Sequence, residues 1–487
     1  MGSANFAAYL FANRSLAPAL IDAADGREVT DLTTTVGQAA AWLESAGLKP
    51  GDRLVLISTL SLDCAVAYLA GLWAGLTVVA VPDAVAAEIS RTVEARAIWT
   101  PKDPAKLGWG TDALVFTGMP QADGACDVAD RQVDDPALLV ATSGSSRTTP
   151  DLVQLTHGNL VTNIGAVIKS QDLVVDDRAL LFLPLHYCFG VSVFLSHLVV
   201  GGSVVLDRQF MFPQRVVDSA VAHSCTTLAG VTTHYRSLLE HTRFAETPLP
   251  SLRRQLQAGG PIDEDLASRL QAAHPGAGLY SMYGKTEATA RISTLHPNDR
   301  AKFKGSVGKP VEGVEISLRP LDADTPDGEG ELMIRGPSVA PCLWGQAGGV
   351  VDDDGWHATG DYAAIDADGF IWIKGRLSNF TKLSGERVSF EEVEDRVRWL
   401  KLAHDVAALT TRNVAGDEQL VILLEVGEGS GTPSEKPDDA AQQIRFALPR
   451  NWPIDCVQWV DALPRTSNGK LARRNLPSMI SKEPGDA

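Results

Sequence analysis

Three stretches of the chain bring together residue types suited to phosphoryl chemistry. The first, residues 139–160, reads LVATSGSSRTTPDLVQLTHGNL. An apolar run at 137–141 stops at a loop dense in Ser, Thr and Gly, and a helix is expected to start near Asn159. A strand feeding a small-residue loop and then a helix can aim many backbone N–H groups at an anion. Ser143, Ser145, Ser146, Thr148 and Thr149 add hydroxyls. The functional expectation is a phosphate cradle; the alternative is an ordinary polar turn. The strict G-x-x-x-x-G-K-[ST] loop is not present. The second stretch contains Tyr283-Gly284-x-Thr286-Glu287. A glycine-turned loop after a strand presents Thr286 to a phosphoryl oxygen and Glu287 to a metal. Alone, this short pattern is weak and reads more readily as a surface turn. The third is residues 463–471, LPRTSNGKL, which carries Lys470 close to the C-terminus.

The elements that must position these residues follow from periodicity. At 487 residues, with 45% apolar content and 27 prolines spread along it, the chain is globular and long enough for at least two domains. Alternating short strands and helices up to about residue 290 imply mostly parallel sheets covered by helices. Expected helices include 36–46, 84–95, 159–170, 212–223 and 263–273, with strands at 54–58, 97–100, 203–206 and 226–231. Residues 252–256 run into Ala258-Gly259-Gly260-Pro261, a loop where ligands of open α/β sheets bind. Residues 64–82 carry no charge and mimic a membrane span, but read as a helix to Ala74, a break at Gly75 and a strand Thr77–Val81. From Gly305 the pattern changes to short strands at 314–318, 330–335 and 363–366, a small β subdomain. A junction at 375–379 leads to a compact α+β lid with a helix at 390–399, strands at 406–410, 419–425 and 457–460, and a polar linker at 427–439.

The net charge of −17 disfavours nucleic acid as a partner. Six scattered cysteines without C-x-x-C suit a reducing compartment and argue against structural zinc. The N-terminus lacks a basic segment followed by an apolar core, so no signal peptide is expected and a cytoplasmic location is.

Read together, the motifs resemble those of the adenylate-forming superfamily: acyl- and aryl-CoA ligases, adenylation domains and luciferases. Thr142-Ser143-Gly144-Ser145-Ser146, Pro150, Val153 and Thr156-His157 resemble its pyrophosphate loop, T-S-G-[ST]-T-G-x-P-K-G-V-x-x-[ST]-H, with one extra residue. Arg147 stands at the second glycine, Asp151 at the lysine and Leu152 at the next glycine. An acid near triphosphate repels it unless it points away or helps hold magnesium; Arg147 offers the missing positive charge, as in fatty acyl-AMP ligases. Residues 282–291 resemble a subgroup of stand-alone bacterial acyl-CoA synthetase-like proteins. Thr359-Gly360-Asp361 and Arg376 resemble the ribose-binding pair, the Asp gripping both hydroxyls. Residues 376–386 resemble the hinge and the following loop, with Ser378 at the pivot, Lys382 beyond it and Gly385 beside the thiol tunnel. Residues 464–470 resemble the final motif, P-x-T-x-x-G-K, which makes Lys470 the bridge between the substrate carboxylate and the α-phosphate.

The resemblance implies an α/β N-terminal domain over 1–376 and a mobile lid over 377–487. It implies nucleotide contacts at the phosphate loop, Gly259, Gly260, Met282, Tyr283 and Gly284, and magnesium on Glu287. At the place of the acidic residue used by amino-acid-activating relatives, this chain has Gly190, in Phe189-Gly190-Val191-Ser192. An α-amino acid there would bury an unpaired ammonium. His186 and Tyr187 fall at the gate; Phe189, Val191, Gly230, Val231 and Gly259 fall on an apolar wall shared with Met282 and Tyr283. The implied activity is Mg-ATP-dependent activation of a fatty, branched or aromatic acid to acyl-AMP. Transfer to the phosphopantetheine thiol of CoA or a carrier protein follows. Two alternatives stay open: an enzyme that stops at the adenylate or passes it to an amine, and a non-catalytic nucleotide-binding descendant.

Overall fold

The computed structural model describes residues 4–12, 20–142, 150–208, 210–383, 386–412, 418–426, 437–465 and 471–480. The chain divides into two compact units. One comprises 1–318, 333–359 and 365–372; the other comprises 319–332, 360–364 and 373–487.

The first unit contains two large sheets. In the nine-stranded sheet, Leu20–Asp22, Ser203–Leu206, Arg178–Leu181, Thr227–Gly230, Arg254–Gln257 and Gly278–Tyr283 pair in parallel. Antiparallel strands close both edges: Glu28–Val29 on one side, Ser293–Leu295 and Lys309–Pro310 on the other. In the seven-stranded sheet, Leu114–Phe116, Ala97–Trp99, Arg53–Ile57, Thr77–Val81 and Pro136–Ala141 pair in parallel. Leu152–Thr156 and Cys342–Leu343 then add antiparallel strands.

Side-chain alternation along these strands decides the layers. Ala179 and Leu181 of one sheet and Leu54 and Leu56 of the other meet in one apolar core. The helices Leu62–Trp73 and Cys188–Val199 fill it between the sheets. The opposite face of the larger sheet, with Leu180, is covered by Pro213–Ala222, Thr232–His241 and Glu264–Ala273. The opposite face of the smaller, with Val55 and Ile57, is covered by Asp83–Thr92. This is the layered α/β architecture expected of the sequence.

The charge-free stretch is resolved by that sandwich. Leu62–Trp73 is buried at every position except Asp63, Gly75 turns the chain at φ 68°, and Thr77–Val81 enters the sheet. Among the described residues no helix is long and apolar enough to cross a membrane.

Glu315–Arg319, Glu329–Arg335, His357–Ile365 and Ile371–Arg376 form a four-stranded sheet in that order, and the sequence boundary between the units falls within these strands. In the second unit, Glu418–Glu425 pairs antiparallel with Asp405–Arg412 and parallel with Ile454–Val460. The helices Phe390–Arg398 and Pro437–Ala447 bury Val393, Val397, Ala440 and Ile444 against that sheet.

Three expectations need correction. The phosphate loop does not run straight into a helix: Leu152–Thr156 returns as an antiparallel strand, and the helix His157–Ser170 begins only after it. That helix end is closed by a capping box between Thr156 and Asn159 at 2.9 and 3.1 Å, and the His157 and Gly158 N–H groups bond to the Asp135 and Val133 carbonyls at 3.1 and 2.8 Å, so its first N–H groups are not offered to an anion. The strand expected at 363–366 starts at His357, which puts Thr359-Gly360-Asp361 inside it. The helix Thr232–His241 is absent from the sequence expectation; it has no acid in its first turn and opens on two β-branched threonines, which weakens its signal.

Candidate functional site

The turn after Gly278–Tyr283 is tightly constrained. A Cβ on Gly284 would lie 1.6 Å from the carbonyl oxygen of Ala290, so only glycine lets the two ends of the turn meet there. Between them, Thr289 sits at φ 65°, ψ −63°, and the Ala290 N–H reaches the Ala288 carbonyl at 2.7 Å. These values describe a γ-turn with positive φ, which is strained for a β-branched residue. Thr289 is held there by its hydroxyl on the Ser338 carbonyl at 2.7 Å. The Glu287 carbonyl receives the Ala340 N–H at 2.8 Å, and Ile292 N–H bonds to the Tyr283 carbonyl at 2.9 Å. The Lys285 ammonium donates to the Thr359 carbonyl.

This scaffold presents Thr286 and Glu287. The Thr286 hydroxyl lies 3.7 Å from the Cys188 sulfur, in the first turn of Cys188–Val199. Among the described residues no cluster of three or more His, Cys, Asp or Glu side chains could hold a metal by itself. A single carboxylate completed by phosphate and water oxygens is the arrangement magnesium favours, and Glu287 fits it.

The residues expected along the substrate wall separate into groups. The His186 and Tyr187 rings meet at 4.3 Å between centroids, tilted by 56°, and burial pushes the His186 imidazole down to about 4, keeping it neutral. Gly259, at φ 85°, lies against Val231: a Cβ there would be 3.1 Å from the valine methyl. The Gln257 amide donates to the Gly260 carbonyl at 2.7 Å and to the Thr232 hydroxyl at 3.1 Å, tying the two loops together. Gly190 faces the Pro184 carbonyl, where a Cβ would approach to 2.4 Å. It is therefore a packing glycine of the helix start, and the absence of an acid there has a steric cause. Met282 is buried, and its sulfur accepts from the Gln171 amide at 3.2 Å. Phe189 lies under the guanidinium of Arg291, 5.5 Å from carbon to ring centroid. Arg291, to which the motifs assign no role, is 1% exposed. Its one signal in the sequence is a charge between Ala290 and Ile292, just before the strand Ser293–Leu295.

In the second unit, Asp361 is buried and its carboxylate bonds to the Arg376 Nε at 2.8 Å. Gly360, at φ 71°, directs its N–H to Glu331 at 3.1 Å. Ser378 is exposed in the short 3-10 turn Leu377–Asn379, and Asn379 holds Glu391 at 2.6 Å. Arg473 pairs with the buried Glu394 at 2.8 and 2.9 Å, so it balances local acids.

Of the phosphate loop, Thr142 is described: its N–H bonds to the Asp151 carbonyl at 2.9 Å, continuing the hairpin ladder. The Asp151 carboxylate receives the Gln346 amide at 2.9 Å. Ser143, Gly144, Ser145, Ser146, Arg147, Gly385 and Lys470 lie outside the described residues, as does the side chain of Lys382, which belongs to the strand Phe380–Leu383.

The sequence model of AMP-binding enzymes matches residues 11–344. A feruloyl-CoA synthase of Amycolatopsis sp is 32% identical over 346 residues, covering 70% of this chain and 69% of that one. This chain belongs to the AMP-binding enzyme family, within the acyl-CoA synthetase superfamily. The family's fold extends through the whole chain. ATP-bound MatB from Rhodopseudomonas palustris superposes with a TM-score of 0.87 at 23% identity, covering 98% of this chain and 99% of that one. The o-succinylbenzoate CoA synthetase of Bacillus subtilis, in complex with its acyl-adenylate, gives 0.82 at 23%, covering 97% of both.

Proposed function

We propose that this AMP-binding enzyme activates a non-amino carboxylic acid with Mg-ATP and transfers the acyl group to a phosphopantetheine thiol. The single observation that carries this reading is the Gly284–Arg291 turn, whose constraints hold Thr286 and Glu287 beside the start of Cys188–Val199. The substrate carboxylate attacks the α-phosphorus of ATP and pyrophosphate leaves. Thr286 binds a phosphoryl oxygen, and Glu287 holds magnesium, which neutralises phosphate charge. Asp361 accepts from the ribose hydroxyls, with Arg376 orienting its carboxylate. Lys470 stabilises charge building between carboxylate and phosphate. The chain then turns about Ser378, the Gly385 loop takes its place, and a thiol attacks the acyl carbon to release AMP. The buried cation of Arg291 beside Phe189 supports the exclusion of α-amino acids, whose ammonium it repels.

Intact-mass detection of products from Mg-ATP, a panel of carboxylic acids and either CoA or a holo carrier protein tests this reading. A new acyl-thioester mass is the expected result, and Lys470→Ala is expected to lower adenylate formation by about 100- to 1,000-fold while ATP still binds. Adenylate without thioester on either acceptor would overturn the transfer step. No adenylate from any acid would overturn the activity.

A further inference from the structure

Arg291 is among the largest fully buried side chains of the protein. Its backbone is clamped by Asn163, which donates to its carbonyl at 2.9 Å and accepts from its N–H at 3.2 Å. The side chain is thus committed to the interior, yet its Nε and Nη2 have no hydrogen-bond partner among the described residues. No carboxylate among them forms an ion pair with it. Its neighbours are the face of Phe189 and the thiol of Cys188. Burial lowers its pKa only to about 10, so the group stays cationic at neutral pH. A guanidinium placed this way is unfavourable until an anion reaches it.

The position of that vacancy in bonding indicates which anion. The guanidinium packs on Phe189, in the first turn of the helix expected to wall the acyl group. Cys188 in the same turn touches Thr286, on the nucleotide side. A group bound by Arg291 therefore lies on the acyl side of Thr286 and only a few atoms from the reacting carboxyl. We infer that the acid activated here carries a second carboxylate, separated from the reacting one by a short carbon chain, and that Arg291 is the specificity-determining residue that receives it. A planar guanidinium matches a carboxylate with two parallel N–H donors, so the fork that finds no partner among the described residues is suited to this ligand. The inference rests on the adenylation reading, and it replaces a simple fatty acid by a short dicarboxylic acid.

The test pairs α,ω-diacids of three to eight carbons with monocarboxylic acids of equal length, using ATP-dependent pyrophosphate release for the wild type, Arg291→Met and Arg291→Lys. The wild type is expected to favour its best diacid by at least about 100-fold in kcat/KM. Arg291→Met is expected to lose that preference with an unchanged KM for ATP, and to use the matched monoacid at least as well as the wild type. Arg291→Lys keeps part of the preference. A thermal shift without ATP gives an independent reading: the diacid stabilises the wild type and not Arg291→Met. Equal rates on diacid and monoacid in the wild type would overturn the inference. So would a variant that raises the KM for ATP and leaves the preference intact, which assigns Arg291 to the phosphates. If Arg291→Met does not fold, the wild-type preference and Arg291→Lys decide. If no acid yields adenylate, the proposed activity fails, whereas a diacid shift present in wild type and absent in Arg291→Met still supports the carboxylate site.

Discussion

Arg254 and Arg291 are both buried arginines in the layer of the nine-stranded sheet, and their surroundings are opposite. Arg254 bonds through Nε to the Gln171 carbonyl at 2.6 Å, through Nη1 to Asp177 at 2.7 Å, and through Nη2 to the Asp172 carbonyl. Asp177 is itself fully buried and also receives Arg253 at 2.7 Å, the Thr226 hydroxyl at 2.8 Å and the Val174 N–H at 2.8 Å. That network is complete within the chain. Arg291 has an equally buried charge and an aromatic face, but no acceptor for Nε or Nη2 among the described residues. Burial of a charge is therefore not what marks a functional site; the mark is a buried charge for which the described residues supply no partner.

The largest expected effect separates the two directly. Arg254→Met leaves Asp177 buried with part of its network gone and is expected to cost about 3–5 kcal/mol in denaturant unfolding. Arg291→Met removes an unpaired buried charge and is expected to leave the ligand-free protein at least as stable as the wild type. Equal destabilisation by the two substitutions would erase the distinction.

A smaller effect contrasts the glycines of the two motifs. Gly284→Ala forces a methyl into the Ala290 carbonyl and is expected to cost about 1–3 kcal/mol, with loss of adenylation because the turn carrying Thr286 and Glu287 must open. Gly360 has a positive φ of 71°, but an added methyl group there would meet nothing within 4 Å. Gly360→Ala is therefore expected to cost only the backbone strain, about 1 kcal/mol. Thermal melts and pyrophosphate release on both variants check this. Similar losses from both would show that steric closure at Ala290 is not what Gly284 provides.

These contrasts also show what is legible in the sequence. The helix, break and strand of residues 64–82 are legible because an all-apolar run interrupted by Gly75 has few other solutions in a sandwich. The short motifs identify the family because their spacing is set by a fold that the comparisons extend over the whole chain. Local geometry is less readable. The strand Leu152–Thr156 merges with the loop in sequence, since five residues beside Pro150 and Asp151 give too little pattern to separate a strand from a loop end. Gly190 stands out in sequence through the acid it replaces, whereas its reason is the Pro184 carbonyl, which comes from tertiary packing. Arg291 shows in the sequence only as a charge between Ala290 and Ile292, because sequence carries no record of which donors go unpaired.

An effect seen only in acid concerns a group that handles burial by losing its charge. His197 is fully buried beside the Asp177–Arg254 pair, with Nδ1 2.9 Å from the Val193 carbonyl and Nε2 without a partner among the described residues. Burial is the main force pushing it down to about 4; the Val193 carbonyl and Asp177 pull it back up, and Arg254 adds to the push. The folded value is below the unfolded one, so when pH falls the unfolded chain takes up the proton first. Full stability is present above about pH 6.5 and is lost as pH falls towards 4, at about 1.4 kcal/mol per pH unit for each histidine so held. His157, His186 and His234 are pushed down to about 4 in the same way, chiefly by burial. His197→Leu is expected to lower the slope of stability between pH 6.5 and 5 by one proton, so that its deficit against the wild type at pH 7 narrows in acid. Parallel curves would mean that His197 takes up its proton in the folded state, with Asp177 serving it as well as Arg254; the pair would then not be the closed network that sets Arg254 apart from Arg291.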